Sequence, residues 1–429
     1  MSDLVKAVAE AAADIAEVAG PRGPADRDDE RLLNREGLAG AFLDFRQRMA
    51  GGDLGNVPVV LGIVAIAIIF YVQDQTYLSS SNLVNITLTA VPYGLISLGI
   101  VLVLLLGEID LSVGSVSGLS ASITAVLFVN QDWPLIAGIG VGIVTGVVIG
   151  LVYGLLFTRV GVPSFVITLA GLLAFQGVQL AVLGDDGTIN IPRESGLAQF
   201  ARSKFLGDAA SYALVALVTV AYLASRLLEI RSRKAAGLSA QTPTVVAMKT
   251  AALLVGLGYL VYYLNVGRGL GYSVVFFAAL VVGMDILLRR SRWGRHLTAV
   301  GGNVEAARRS GIKVDRVYVS AFALTGGFAA LGGLMFMGKL TSVSQASGSR
   351  DVNLTAIAAA VIGGTSLFGG RGSAYSSMLG VLVLTMITSG LNRIGVDSSV
   401  RYIVTGAVLL LAVSIDSLAR RARANRGRG

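Results

Sequence analysis

From Pro58 onward the chain is a succession of apolar runs separated by short polar or glycine-bearing breaks. The runs cover roughly 57–73, 83–106, 111–129, 134–157, 164–183, 211–228, 246–265, 272–288, 317–338, 353–369, 373–391 and 400–417. Most of them approach the ~20 residues that a helix needs to cross the hydrocarbon core of a bilayer. Membrane barrel strands would be short and strictly alternating, which these runs are not. Lipid also offers no partner to unpaired backbone, so helices are the remaining choice. The pattern predicts an all-α, polytopic membrane protein with about 12 transmembrane helices, a count of 10–12 being compatible with the breaks. Twelve spans place both termini on one side.

Charge then fixes the orientation. With the N-terminus inside, the inner segments hold 25 of the 35 Lys and Arg, concentrated in 1–56, 229–245, 289–316 and 418–429, against 7 in the outer loops. That asymmetry satisfies the positive-inside rule and puts both termini in the cytoplasm. The net charge of +9 therefore reports topology and requires no nucleic acid. Composition narrows the chemistry further. Hydrophobic residues make up 54% and charged residues 14%, far from the ~25% charged residues of soluble domains, which excludes a soluble enzyme. The absence of cysteine excludes disulfides, thiolate metal sites and a cysteine nucleophile, and His296 stands alone.

Residues 1–56 mix acids and bases without an apolar core and cleavage site, so no signal peptide is expected. Within them Leu38, Phe42, Phe45 and Met49 recur at helical spacing among Asp44, Arg46 and Arg48. This predicts an amphipathic helix, lying either on the membrane surface or against a protein partner. In the fourth run, Gly138, Gly142, Gly146, Gly150 and Gly154 repeat every four residues. Such a small-residue face lets another helix approach closely.

Two segments carry candidate function. The first is Gly107-Glu-Ile-Asp-Leu-Ser-Val-Gly-Ser-Val-Ser117, between the second and third runs. Carboxylates beside apolar helix are costly, so Glu108 and Asp110 each need a reason to be there. Asp110 is placed to cap the third helix. Glu108 has no such explanation, and either lines a polar pathway or meets a basic group. Ser112, Ser115 and Ser117 offer hydroxyls to a passing solute or bond back to their own helix. The second is the long inner loop from Arg289 to Arg316. Asn303 is placed to cap a short helix with Glu305 in its first turn and Gly311 past its end. A polar helix between two spans suits docking on another subunit.

Two further features were weighed. Gly333-xxxx-Gly338-Lys339 approaches a phosphate-binding loop, but Leu340 replaces the Ser or Thr and no strand precedes it, so no nucleotide site is expected in this chain. The stretch from Ile362 to Ser373 holds five glycines and reads as a tight turn or a break in a transport helix.

Four motifs in order resemble one family. Gly107-Glu-Ile-Asp-Leu-Ser-Val-Gly-Ser115, Gly161-Val-Pro-Ser-Phe-Val-Ile-Thr-Leu169, Gly301-Gly-Asn-Val-Glu-Ala-Ala-Arg-Arg-Ser-Gly311 and Ile362-Gly-Gly-Thr-Ser366 are similar to the permease subunits of ribose- and xylose-type bacterial ABC sugar importers. The likeness runs from about Gly51 to the C-terminus. The Gly52-Asp-Leu-Gly55 entry and the extra apolar pair around 246–288 favour the xylose branch.

The resemblance implies a permease without catalytic residues or bound cofactor, spanning 57–418 of a bacterial inner membrane. It would lie between a cytoplasmic extension (1–56) and a basic cytoplasmic tail (419–429). ATP and magnesium would belong to a separate ATP-binding cassette subunit, and an extracytoplasmic binding protein would deliver the monosaccharide to a permease homodimer. Gly302, Asn303, Glu305, Ala306, Arg308 and Gly311 would form the helix that receives ATP-driven motion. Glu108, Asp110, Ser112, Ser115 and Ser117 would lie near the pathway. The competing reading is a secondary transporter in which Glu108 and Asp110 carry protons. The docking-type loop and the ordered motifs stand against it.

Overall fold

A computed structural model describes residues 57–424. The expected amphipathic helices of 1–56 and the last residues of the basic tail lie outside the described residues. Each of the twelve apolar runs holds a helix. They are α1 (Val57–Gln73), α2 (Ser80–Leu105), α3 (Val113–Ala125, continued by a π-turn to Asn130), α4 (Leu135–Leu155, continued to Val160), α5 (Ser164–Leu183), α6 (Asp208–Ala235), α7 (Pro243–Asn265), α8 (Tyr272–Arg290), α11 (Val314–Leu340), α12 (Arg350–Ile362), α13 (Ala374–Arg393) and α14 (Ser398–Ala424). Two shorter loop helices, α9 (Arg292–Gly302) and α10 (Val304–Arg309), fill the long basic loop. Among the described residues nine helices are long and apolar enough to cross a membrane, and Val57–Gln73 and Asp351–Ile362 are shorter apolar helices. The chain is an all-α polytopic membrane protein.

The chain divides into two compact units. The described part of one is residues 209–261, most of α6 and α7. There Arg226 lies over the Tyr222 ring and pairs with Glu229 at 2.6 Å, one turn before the basic end of α6.

The other unit holds residues 54–208 and 262–429. Its core is built on α2, in which every residue from Gly94 to Leu105 is buried, and on α11, which packs against α2, α3 and α4. Glycine makes the α4–α11 approach possible. A Cβ at Gly146 would sit 2.3 Å from the Gly326 carbonyl oxygen, and one at Gly150 only 2.1 Å from that of Phe322. Gly138 and Gly142 likewise face Thr124 and Ser120 of α3. The four-residue glycine repeat is thus a packing face.

The run expected at 353–369 is corrected. α12 stops at Ile362, because Gly363 and Gly364 end it and Gly364 (φ 103°), Gly369 (φ 81°) and Gly370 (φ 72°) form the turn. α12 is therefore 13 residues, roughly 20 Å, short of the ~30 Å hydrocarbon core. A ribbon pairs Thr188 with Ser344 and Asn190 with Ser342. Residues 345–349 then run against α3, where Gly348 (φ 72°) packs on the Gly114 backbone.

Candidate functional site: a docking helix joined to an interhelical segment

The basic loop folds as two helices, although sequence reasoning foresaw only the second. Ser291 caps α9, its hydroxyl accepting from the Gly294 N–H at 3.0 Å. Gly294, Leu297 and Val300 are buried, and Trp293 donates to the Ser320 hydroxyl at 2.8 Å. α9 is thereby fastened along one side to α8 and α11. α10 follows at once. The Asn303 side chain accepts from the Ala306 N–H at 2.9 Å, a side-chain cap that satisfies one of the free donors of the first turn. Glu305 lies in that turn, and Gly311 (φ 81°) reverses the chain after it. Ala307 is buried, with Val304 and Ile312 half-buried beside it. Gly302, Asn303, Glu305, Ala306, Arg308 and Gly311 are all exposed. The arrangement is an apolar footing under a polar outer face, the shape of a docking element.

Glu108 and Asp110 occupy the stretch between α2 and α3. Asp110 is buried, and its Oδ1 accepts from both the N–H and the hydroxyl of Ser112 at 2.8 Å. The expectation that Asp110 caps the third helix is corrected. α3 begins at Val113 with Ser112 at the capping position, so the Asp110 bonds close a turn ahead of the helix. Burial pushes the Asp110 carboxyl up to about 6, against the downward pull of the Ser112 bonds. Glu108 is half-buried and accepts a hydrogen bond from the Ser164 hydroxyl at the start of α5. Burial raises its pKa, and the Ser164 bond opposes the rise.

The serine hydroxyls are already engaged. Ser112 donates to Asp110, Ser115 to the Leu172 carbonyl of α5 at 3.0 Å, and Ser117 back to the Gly114 carbonyl at 2.6 Å. All three are buried. In this conformation Ser115 ties α3 to α5, while Ser112 and Ser117 bond within their own segment.

The structure brings the two segments together through glycines, a connection that sequence reasoning missed. The end of α9, the end of α2 and the turn after α12 meet at one place. The Gly370 N–H donates to the Leu105 carbonyl at 2.8 Å. A Cβ on Gly301 would fall 1.7 Å from that same oxygen, and one on Gly369 would fall 2.6 Å from the Gly301 oxygen. The signal was present as Gly107, Gly301–Gly302 and Gly369–Gly370 in three distant loops, but nothing local says that they touch. Among the described residues no cluster of His, Asp and Glu is placed to hold a metal ion.

Residues 82–413 match the family described as "Branched-chain amino acid transport system / permease component". The xylose transport system permease protein of Escherichia coli (strain K12) is 35% identical over 364 residues, covering 85% of this chain and 92% of the relative. The ribose import permease protein of Bacillus subtilis (strain 168) is 31% identical, covering 85% of this chain and 94% of the relative. The galactose/methyl galactoside import permease protein of Salmonella typhimurium (strain LT2) is 30% identical over 376 residues, with 85% and 94% covered. No solved structure matches the chain.

Proposed function

We propose a function from one premise: the chain belongs to the branched-chain amino acid transport system / permease component family, as a permease of the ribose- and xylose-type ABC sugar importers. On that premise it is the non-catalytic, membrane-spanning subunit that passes a monosaccharide into the cytoplasm. Xylose is the first candidate, since 35% identity to a xylose permease exceeds the 31% and 30% to ribose and galactose permeases. ATP and magnesium are bound by a separate cassette subunit, and an extracytoplasmic protein delivers the sugar to a permease pair. Both termini face the cytoplasm of a bacterial inner membrane, with 1–56 as an extension and 419–429 as a basic tail.

The observation that carries this reading is α10. Six expected contact residues stand exposed on or beside a helix whose footing is packed and whose first turn is capped. The glycine contacts give displacement of this loop a rigid route to the Glu108–Ser117 segment, because backbone meets backbone without a flexible side chain between. A pathway switched this way needs only differential binding of the docked partner to two conformations.

A second reading has one observation in its favour. Burial raises the pKa of both Glu108 and Asp110, as a proton carrier requires. Its weakness is that the Asp110 carboxylate is closed into a turn with Ser112. Uptake of labelled xylose into proteoliposomes decides between them, with the cassette subunit and the binding protein present or omitted. Import is expected only with ATP and both partners, and Glu305→Lys is expected to remove it while the folded chain persists. Uptake by the chain alone under a pH gradient would overturn the importer reading.

A further inference from the structure

α2 is the most enclosed of the long helices, yet one edge of it is open. The positions not buried are Ser81, Leu83, Asn85, Thr87, Thr89 and Tyr93, and five of these six are polar. A lipid-facing edge would show the opposite composition. Depth makes the point sharper. Thr89 and Tyr93 lie nine and thirteen residues into a helix of 26, about 14 and 20 Å along an axis of about 39 Å, well inside the hydrocarbon region.

The neighbours of this edge are also polar or aromatic. Lys339 of α11 is half-buried and donates to the Thr89 hydroxyl at 2.5 Å, with no carboxylate in ion-pair reach among the described residues. One turn away on both helices, Tyr93 and Phe336 meet edge to face, their ring centres 4.8 Å apart at 89°. Asp351, in the first turn of α12, accepts from the Tyr402 hydroxyl of α14 at 2.6 Å, and both residues are exposed. α12, which carries Asp351, packs against both α2 and α14. A turn further along the same edge of α2, Ser97 is fully buried and its hydroxyl has no partner. The polar edge therefore continues into a part of the helix that is sealed in this conformation.

We propose that Thr89, Tyr93, Phe336, Lys339, Asp351 and Tyr402 form a site for a neutral polyhydroxyl ligand, a monosaccharide, at membrane depth. The chemistry fits this class. A sugar ring has an apolar face of C–H groups that rests on aromatic rings, and a rim of hydroxyls that both donate and accept. Asp351 accepts from such a rim, Lys339 donates to it, and Thr89 and the two tyrosines do either. Ser97 offers a partner to the sugar, or to its water, when the helices part. A zwitterionic amino acid would also use Lys339 and Asp351, but the hydroxyl-rich edge gives a branched apolar side chain no pocket. The inference rests on the sugar-permease reading above and adds the residues that touch the sugar.

The absence of cysteine from the chain makes the test clean. Thr89→Cys and, as a lipid-facing control, Val148→Cys are placed in the full-length chain assembled with its cassette subunit. A membrane-impermeant cationic thiosulfonate is then applied, with xylose or leucine added as protectant. Thr89→Cys is expected to react, to be protected by xylose and not by leucine, and Val148→Cys is expected to stay unmodified. In the uptake assay, Asp351→Asn and Tyr93→Ala are expected to lower xylose entry about tenfold, the loss of roughly one good contact, with the assembled complex still recovered on size-exclusion chromatography. Tyr93→Phe keeps the ring and is expected to fold and retain most uptake. An unreactive Thr89→Cys in a transporting complex overturns the site, as does labelling that xylose leaves unchanged. Protection by leucine instead overturns the sugar. Labelling needs no ATP, so failure of the ATP-driven reading shows separately, as uptake without nucleotide.

Discussion

α2 and α4 are both long, strongly apolar helices of the same unit, and nothing in their overall character separates them. Their open edges do. On α4 the exposed residues are Ile136, Gly140, Val141, Val144, Val148, Leu151, Val152 and Leu155, while Gly138, Gly142, Gly146, Gly150 and Gly154 are buried. On α2 the open edge is hydroxyls, an amide, a tyrosine and one leucine, Leu83, while the other aliphatic residues are buried. A helix facing lipid exposes what lipid tolerates, and its close packing falls to small residues on the other side. A helix that exposes polar groups at the same depth faces something other than lipid. The comparison teaches that apolarity identifies a span, but the identity of the few open residues tells what that span borders.

The comparison breaks most visibly at the buried face of α4. Gly150→Leu places a side chain where even a Cβ would meet the Phe322 carbonyl oxygen at 2.1 Å. Loss of monodisperse protein on size-exclusion chromatography in detergent is expected, with Val148→Leu unaffected. Next in size is a carboxylate on the open edges. Val148→Asp, in the middle of the lipid face, is expected to cost ~2.5–3.5 kcal/mol on insertion. Thr89→Asp, on the polar edge of α2, is expected to cost far less, and equal losses in an insertion assay would undo the contrast between the helices.

Smaller effects sharpen the account beyond the end of α2. Asp110→Asn keeps the oxygen that accepts from Ser112 and is expected to leave ATP-driven uptake within about twofold, whereas a proton carrier would lose it. The same variant carries a pH signature. The folded-state value of Asp110, about 6, lies above the ordinary 3.8, so ionisation disfavours the folded form. The stability that Asp110 contributes is full below about pH 4 and falls away as pH rises through 6. Thermal unfolding followed across that window is expected to show the fall in the wild type and to lose it in Asp110→Asn. The smallest effect lies off both helices. Asn303→Ala removes the cap of α10 at a cost of ~1 kcal/mol. Hydrogen exchange is expected to quicken in 304–309 while α2 and α4 keep their protection.

Much of the fold was legible along the chain, and the errors are local ones. Most helix boundaries fall within a few residues of the apolar runs, but Gly363 and Gly364 end α12 earlier than its hydrophobicity suggests, and α6 and α14 run on past their apolar stretches to Ala235 and Ala424. The Asn303 cap was legible because donor and acceptor lie three residues apart. The Asp110 cap was misplaced because hydropathy marks where apolar residues begin, while a helix begins where backbone bonding does. The polar edge of α2 was visible as Ser81, Asn85, Thr89, Tyr93 and Ser97 at four-residue spacing. Without knowing which side of α2 its neighbours cover, however, that spacing carries no direction.

The sequence by itself determined that the chain crosses a membrane as helices and that a capped helix lies in the basic loop. Desolvating backbone in lipid forces helices wherever apolar runs are long, and a cap is a contact within one turn. Tertiary structure alone decided what each helix borders and which loops meet. It set the Gly107, Gly301 and Gly369–Gly370 turns against one another, Tyr93 on Phe336 and Lys339 on Thr89. These outcomes depend on backbones hundreds of residues apart approaching closely, a sum of many weak packing terms that no single stretch of chain contains.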